Sequence, residues 1–518
     1  MELENYSSDI VLKVMISIGV IGVLGLVMGF CRAFVWEPKR LRSLLKKQGI
    51  DGPEPKIVVG NLLDMKNASK NKPPVDSSSG ISHNGLSFLF PIFKKWKDQY
   101  GPLFVFSLAN MNVLFVHKPD VVKEITTHTS LDLGKPSYQE KNLGPLLGRG
   151  ILTSNGESWA HQRKILAPEL YMDKVKGMLH IITESAMTLI DTWKTQIDAQ
   201  GGVADITVDE HMRNFSGSVI SKACFGGSYA KGEKIFTKLR DLQELYTKTG
   251  LPFQIPGMRH LPTKKNRKSW ALQKEIGDLI LNVVHERKEV GYEKDLLQMV
   301  LEGAEQSKFS QEETNRFIVD NCKNIYLAGY ETTAVSLTWT LMLLASNPEW
   351  QTRVRDEALE VCKGQIPTND MLLKMKQLTM VIYESLRLYS PVPVISREAF
   401  KDLKFADVNV PKGVNVWGVI YSLHTDPEVW GPDSFEFNPN RFENGTRNAC
   451  KYPQYYCPFG VGPRVCLGQN LAIVELKALV SLLVSNFSFA LSSDYVHSPV
   501  IKLVIEPQHG VKLMVKKL

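Results

Sequence analysis

A mainly helical body with small β-sheets, carried on one N-terminal membrane helix, is the fold class this sequence predicts, and three observations predict it. Val14 to Cys31 is an uncharged, apolar run close to the length that crosses a bilayer core. Phe317 to Leu344 is a long apolar stretch with helical spacing. Leu103 to Phe106, Val113 to Val116 and Val414 to Val419 read as short strands of a side sheet. The 518 residues would suggest several domains by length alone, yet no composition break, repeat or low-complexity tract divides the chain after its N-terminal segment.

Each element follows in order. Glu2, Glu4 and Asp9 precede the apolar run with Lys13 the only basic residue, whereas Arg32, Lys39, Arg40, Arg42, Lys46 and Lys47 follow it. The positive-inside rule therefore leaves the first residues in a lumen and the body in the cytosol. A cleaved signal peptide would open with positive charge and end at a small-residue site, and this segment has neither pattern. Asn5-Tyr6-Ser7 is a glycosylation sequon on the lumenal side. Gly49-Ile50-Asp51-Gly52-Pro53-Glu54-Pro55 reads as a stiff hinge, because proline fixes φ and removes donors. Met65 to Asn84, with Pro73-Pro74 and Ser77-Ser78-Ser79, reads as a loop. The expected divisions are a lumenal tail 1–9, a transmembrane anchor 10–31, a basic and proline hinge 32–60 and a body 61–518.

Composition narrows the function classes. Seven cysteines, an odd number at irregular spacing, fit a reducing compartment rather than a disulfide framework. Cys450, Cys457 and Cys466 lack the close pairs of a structural zinc site. The net charge of +8 is dispersed, which argues against nucleic acid as a partner and for attraction to anionic lipid. Thr263-Lys264-Lys265-Asn266-Arg267-Lys268, the densest basic cluster, reads as a solvated loop.

Five segments carry chemistry. Trp159 and Arg163 stand four residues apart, on one side of a helix. Ala328-Gly329-Tyr330-Glu331-Thr332-Thr333 sits inside the long apolar stretch, where a glycine costs about 1 kcal/mol relative to alanine and so implies a packing or functional reason. An ordinary helix with a back-bonded threonine fits the same hexapeptide. Glu384-Ser385-Leu386-Arg387 puts an acid and a base on one helix face. Phe437-Asn438-Pro439-Asn440-Arg441-Phe442 follows. Finally, Phe459-Gly460-Val461-Gly462-Pro463-Arg464-Val465-Cys466-Leu467-Gly468 surrounds one cysteine with an aromatic, an arginine and two well-placed glycines. Those five residue types at fixed positions arise by chance in a chain this long roughly once in ten thousand. A buried free thiol is the bland alternative for Cys466.

In this order the segments resemble the cytochrome P-450 family, of the microsomal plant type. The resemblance implies the P-450 fold, a heme b cofactor and Cys466 as the thiolate that ligates its iron, which favours O–O cleavage. Gly462 and Gly468 would supply φ > 0 and close approach, and loop amides would hydrogen-bond the sulfur. Phe459 would shield the thiolate, while Arg464, Trp159, Arg163 and Arg397 would reach the heme propionates. On the distal side Gly329 would loosen a helix turn for oxygen and water, Thr332 would donate a hydrogen bond and Glu331 would support proton delivery. Val392 to Ser396 would line the substrate pocket. Glu384, Arg387 and Arg441 would meet behind the heme; the family usually has Glu where this chain has Asn440.

The activity implied is that of an NADPH-reductase-dependent monooxygenase of the endoplasmic reticulum membrane, using O2. No flavin or NADPH motif is present, so the NADPH-cytochrome reductase is a separate protein. Gly150 to Gly156, Lys222 to Gly226, Val319 to Lys323 and Pro507 to Val511 resemble a branch that oxidises hydrophobic polycyclic terpenoids. The Glu37 to Ile50 tract favours a pentacyclic, oleanane-type triterpenoid oxidised at a ring-A methyl in saponin synthesis; a gibberellin or ent-kaurenoid diterpenoid is the alternative. A reductase-independent heme-thiolate isomerase or lyase, or a non-catalytic heme protein, is the alternative of another class.

Overall fold

The computed structural model describes residues 2–70, 81–226, 229–247, 261–290, 295–307 and 309–518. The N-terminal run is one helix, Glu2–Cys31. It passes through a π-helical stretch, Arg32–Trp36, straight into the helix Glu37–Lys46. The apolar side chains between Val14 and Phe30 are exposed, and no core lies against them. Among the described residues this is the one helix long and apolar enough to cross a membrane.

The segment expected as a hinge is therefore half helix. Pro38 does not prevent this, because it falls in the first helical turn, where its missing N–H has no partner to lose. The chain turns only at Gly49, whose φ is +80°. The buried Arg42 then pins the turn to the body, donating to the carbonyls of Val105 at 3.2 Å, Gly52 at 2.8 Å and Pro53 at 2.9 Å. The expected loop from Met65 also begins as helix, Leu62–Lys70, because Leu62 and Met65 reach an aromatic cluster. Residues 71–80 of that expected loop lie outside those described.

The three expected strands are present in one five-stranded sheet, ordered Leu103–Leu108, Met111–Val116, Asn415–Val419, Val394–Ala399, Leu133–Gly134. The first pair is an antiparallel hairpin, and Met111–Val116 runs parallel to Asn415–Val419. Gly134 pairs with Glu398, which sets Lys135 beside Arg397. The large core surrounds the helix Gln311–Ser346, which packs against Val208–Phe225, Gln469–Asn486 and Lys376–Leu388. A capping box starts it: Ser310 Oγ accepts from the Glu313 amide, and Glu313 Oε2 accepts from the Ser310 amide. Its second half is buried on all sides, but Ile325, Ala328, Gly329 and Thr332 form a half-buried stripe at i, i+3, i+4 and i+7. That stripe is the least buried face of the mid-helix, with Ile220 packed against its glycine.

Candidate active site

Cys466 is held by its loop's own backbone. Its amide donates to the Phe459 carbonyl at 2.8 Å, while the Gly460 amide donates to Cys457 O at 3.0 Å and the Val465 amide to Gly462 O at 3.0 Å. Gly462 has φ +74°, and a Cβ there would lie 2.2 Å from Thr126 O, so only glycine fits. Gly468 differs from expectation: its φ is −84°, and Gly460, at +73°, is the second left-handed position. Gly468 serves instead as the N-cap of the helix Gln469–Asn486, and its amide hydrogen-bonds the cysteine sulfur. Burial raises the Cys466 thiol, and that amide and the Arg163 guanidinium pull it down. The side chain is nonetheless accessible. A sulfur that is deep and yet accessible faces open space, and the positive end of the adjoining helix favours its thiolate form.

Cations crowd the same region. Arg464 stacks over the Trp159 ring at 4.1 Å, and Arg163 stands 5.8 Å from that ring while donating to Val465 O at 2.9 Å. Arg397, on its strand, is buried and donates to Ser396 O. Lys135 joins them, a residue that sequence reasoning missed. Desolvation, then Arg397 and Arg464, lower the Lys135 ammonium to about 7. Desolvation lowers Arg397 to about 10, and desolvation together with Arg397 and Arg163 lowers Arg464 to about 10. Among the described residues none of these four cations has a carboxylate partner. Cations gathered without a counter-charge, one buried and three half-buried, call for an anion, and a cleft of about 310 Å³, open solvent included, lies against Arg397, Arg464 and Trp159. This donor set fits the two propionates of a heme b.

On the other side of the site, Thr332 Oγ donates to Ala328 O at 2.6 Å, back-bonded within its helix. Glu331 turns elsewhere, since successive helical residues diverge by about 100°. It is buried, with Arg213 Nε 3.8 Å from its carboxylate. Arg213 in turn donates to Glu506 at 2.8 Å, and Glu506 pairs with the half-exposed Lys502. Burial raises the Glu331 carboxyl and Arg213 opposes it. Gly329 does not loosen the helix, which is continuous from Gln311 to Ser346. A Cβ at Gly329 would instead lie 2.7 Å from the Ile220 side chain, so the glycine admits the neighbouring helix.

Behind the loop, Arg387 spends all its donors: Nε and Nη2 on Glu384 at 2.6 and 2.8 Å, and the rest on the carbonyls of His424, Ser434 and Glu436. Arg441 Nε is 3.5 Å from Glu384, and its second carboxylate is Asp433 at 2.5 Å. His424 then donates from Nδ1 to Arg387 O and accepts at Nε2 from the Cys457 amide, both at 3.0 Å. The ion-paired cluster is thus wired to the cysteine loop. Val392 is exposed and Ile395 lines an apolar cleft, whereas Val394 packs in an aromatic cluster, as strand alternation requires.

A family model described as cytochrome P450 matches residues 84–514. The chain is 46% identical over 502 residues to Cytochrome P450 714C2 of Oryza sativa subsp. japonica, covering 95% of this chain and 96% of that one. It is 44% identical to Cytochrome P450 714B3 of Zea mays, over 98% and 96% of the two chains. It is 45% identical to Cytochrome P450 714A2 of Arabidopsis thaliana, over 93% and 94%. The cysteine loop, its cationic rim and these relatives together establish that the chain belongs to the cytochrome P450 family, as a reductase-dependent monooxygenase that carries a heme b on a cysteine thiolate.

Proposed function

We propose that this protein inserts one atom of O2 into an unactivated carbon of a rigid polycyclic terpenoid, a pentacyclic oleanane-type triterpenoid ahead of a gibberellin-type diterpenoid. One observation carries the choice: four cations near the central helix, Arg213, Arg240, Lys323 and Lys502, are already paired with carboxylates. Arg213 faces Glu331 and Glu506, Arg240 faces Glu210, Lys323 faces Asp320 and Lys502 faces Glu506. A gibberellin brings a carboxylate that needs a free cation, whereas the ring-A end of a triterpenoid needs only apolar contact. The anchor suits delivery of such a substrate from lipid, at the endoplasmic reticulum membrane, with electrons from an NADPH-cytochrome reductase.

The heme, when bound, supplies oxygen activation; this chain's residues position and protonate. Cys466 would ligate the iron; burial raises its thiol, and the Gly468 amide and Arg163 oppose that rise. Arg464, Arg163, Arg397 and Lys135 would receive the propionates, and Phe459 closes the loop through its carbonyl. Thr332 holds a proton at Oγ on the half-buried stripe, free to exchange Ala328 O for another acceptor. Glu331, its carboxyl raised by burial, holds a proton nearer neutral pH than an exposed acid would, and Arg213, Glu506 and Lys502 lead from it to the surface. In balance, substrate, O2, NADPH and a proton give hydroxylated substrate, water and NADP+.

Reconstitution with a plant NADPH-cytochrome reductase, offering oleanane triterpenoids and gibberellins side by side, tests the reading by mass spectrometry. An oxidised triterpenoid alone supports it; an oxidised gibberellin alone replaces it with the diterpenoid reading. Product without reductase would instead mark a lyase or isomerase.

A further inference from the structure

Asn155 is the N-cap of the helix Gly156–Leu166, yet its side chain makes no capping bond. An asparagine at that position ordinarily accepts from an amide one turn on. Here its Oδ1 accepts from the Lys135 amide at 2.6 Å and from Arg464 Nη2 at 3.1 Å, while its Nδ2 donates to Lys135 O at 2.9 Å. A Cβ at Gly134 would lie 2.3 Å from Oδ1, so the strand approaches closely enough only because that residue is glycine. One amide thus ties the cysteine loop to the strand that carries Lys135.

The loop leading to Asn155 is itself stapled to the central helix. Asp320 Oδ2 accepts from the Arg149 amide at 2.9 Å, Asn321 Oδ1 from Ile151 at 3.2 Å and Asn324 Oδ1 from Leu152 at 2.8 Å. Asn324, fully buried, also donates to Leu147 O at 2.6 Å. Gly148 and Gly150 leave no room for a Cβ against Asp320 and Asn324. The Gly150 to Gly156 and Val319 to Lys323 tracts therefore belong largely to one device, two sides of a single seam.

We propose that Asn155 is a positioning residue for the cofactor's anionic edge: it aligns Lys135 and Arg464 on the propionates, and the Asp320-Asn321-Asn324 seam holds it in place from the distal helix. This rests on the reading that those two cations receive the propionates. The Arg464 fork, stacked on Trp159, is held on two acceptors, Ser154 O at 3.3 Å and Asn155 Oδ1 at 3.1 Å, and the side-chain acceptor is the one that also holds Lys135. The seam makes the placement a property of the central helix as well.

The test loads the full-length protein with heme b or with its dimethyl ester, which lacks the two negative charges, and follows loss of each to a heme acceptor. Asn155→Ala should release heme b ~10-fold faster, the effect of losing one hydrogen bond to a charged group, and leave the ester's release unchanged. Asn155→Asp, which loses the donor to Lys135 O and sets a competing negative charge beside Arg464, should also release heme b faster while sparing the ester. Equal acceleration of both cofactors would show a structural role only and overturn the proposal. Arg464→Ala is the reference: selective loss of heme b there but not in Asn155→Ala overturns the role of Asn155, and no selectivity in either overturns the propionate reading beneath it. Should Asn155→Ala fail to fold, Asn155→Leu, which keeps the volume and lacks the acceptor, gives the same comparison.

Discussion

Arg464 lies over the face of Trp159, its guanidinium carbon 4.1 Å from the ring centroid, and Arg163 shares the same indole at 5.8 Å. One ring thus steadies two cations that repel each other, a contact worth about 1–2 kcal/mol when desolvated. Trp159→Ala should loosen heme about tenfold, by the dissociation rate measured spectroscopically, and Trp159→Phe should loosen it less.

Cys466→Ala should abolish the thiolate-type carbon monoxide spectrum while far-ultraviolet circular dichroism stays native, because its backbone bond to Phe459 O survives the change. Retention of that spectrum would transfer the ligand role elsewhere.

Thr332 and Glu331 should separate by phenotype. Thr332→Ala removes only a back-bond to Ala328 O, so thermal stability should shift by less than about 1 kcal/mol. NADPH should then be spent on peroxide rather than product. Glu331→Gln should slow turnover and preserve heme, and coupled assays of NADPH, peroxide and product would distinguish the two.

Arg387→Lys should be among the most damaging single changes. A lysine offers one point charge where the guanidinium satisfies the buried Glu384 and three carbonyls, and each buried acceptor left unpaired costs about 1–3 kcal/mol. Poor heme incorporation and a lowered denaturant midpoint are the expected readouts.

Acid should unfold the body earlier than carboxylate titration alone would. Burial holds His424 and His83 down at about 3 and His497 at about 4, against 6.5 unfolded. Their folded pKa values are depressed, so the stability they contribute is complete above pH 6.5 and is lost as pH falls towards 3 to 4. At pH 5 each should have cost about 2 kcal/mol, the unfolded state binding the extra protons. Denaturant titrations between pH 7 and 5 check the slope, and His424→Gln should flatten it.

Much of this was legible in the chain. The anchor, the central helix, the three strands and the cysteine loop depend on local pattern, and all are present. Lys135 was not legible: it meets Arg397 through strand pairing and Arg464 through Asn155, across hundreds of residues. Gly329 was misread because a helical glycine signals close approach without saying what approaches, and Ile220 lies over a hundred residues away. Asp433 likewise becomes a partner of Arg441 only once the chain folds back.

The unbroken helical run from Glu2 to Lys46 has a mechanical consequence. A membrane span joined to its enzyme by floppy chain lets the enzyme tumble, but a rod pinned at Arg42 transmits torque. With that helix set in a bilayer, rotating the body would mean rotating the helix as well, so the lipid would serve as a compass for the cysteine loop and its cationic rim.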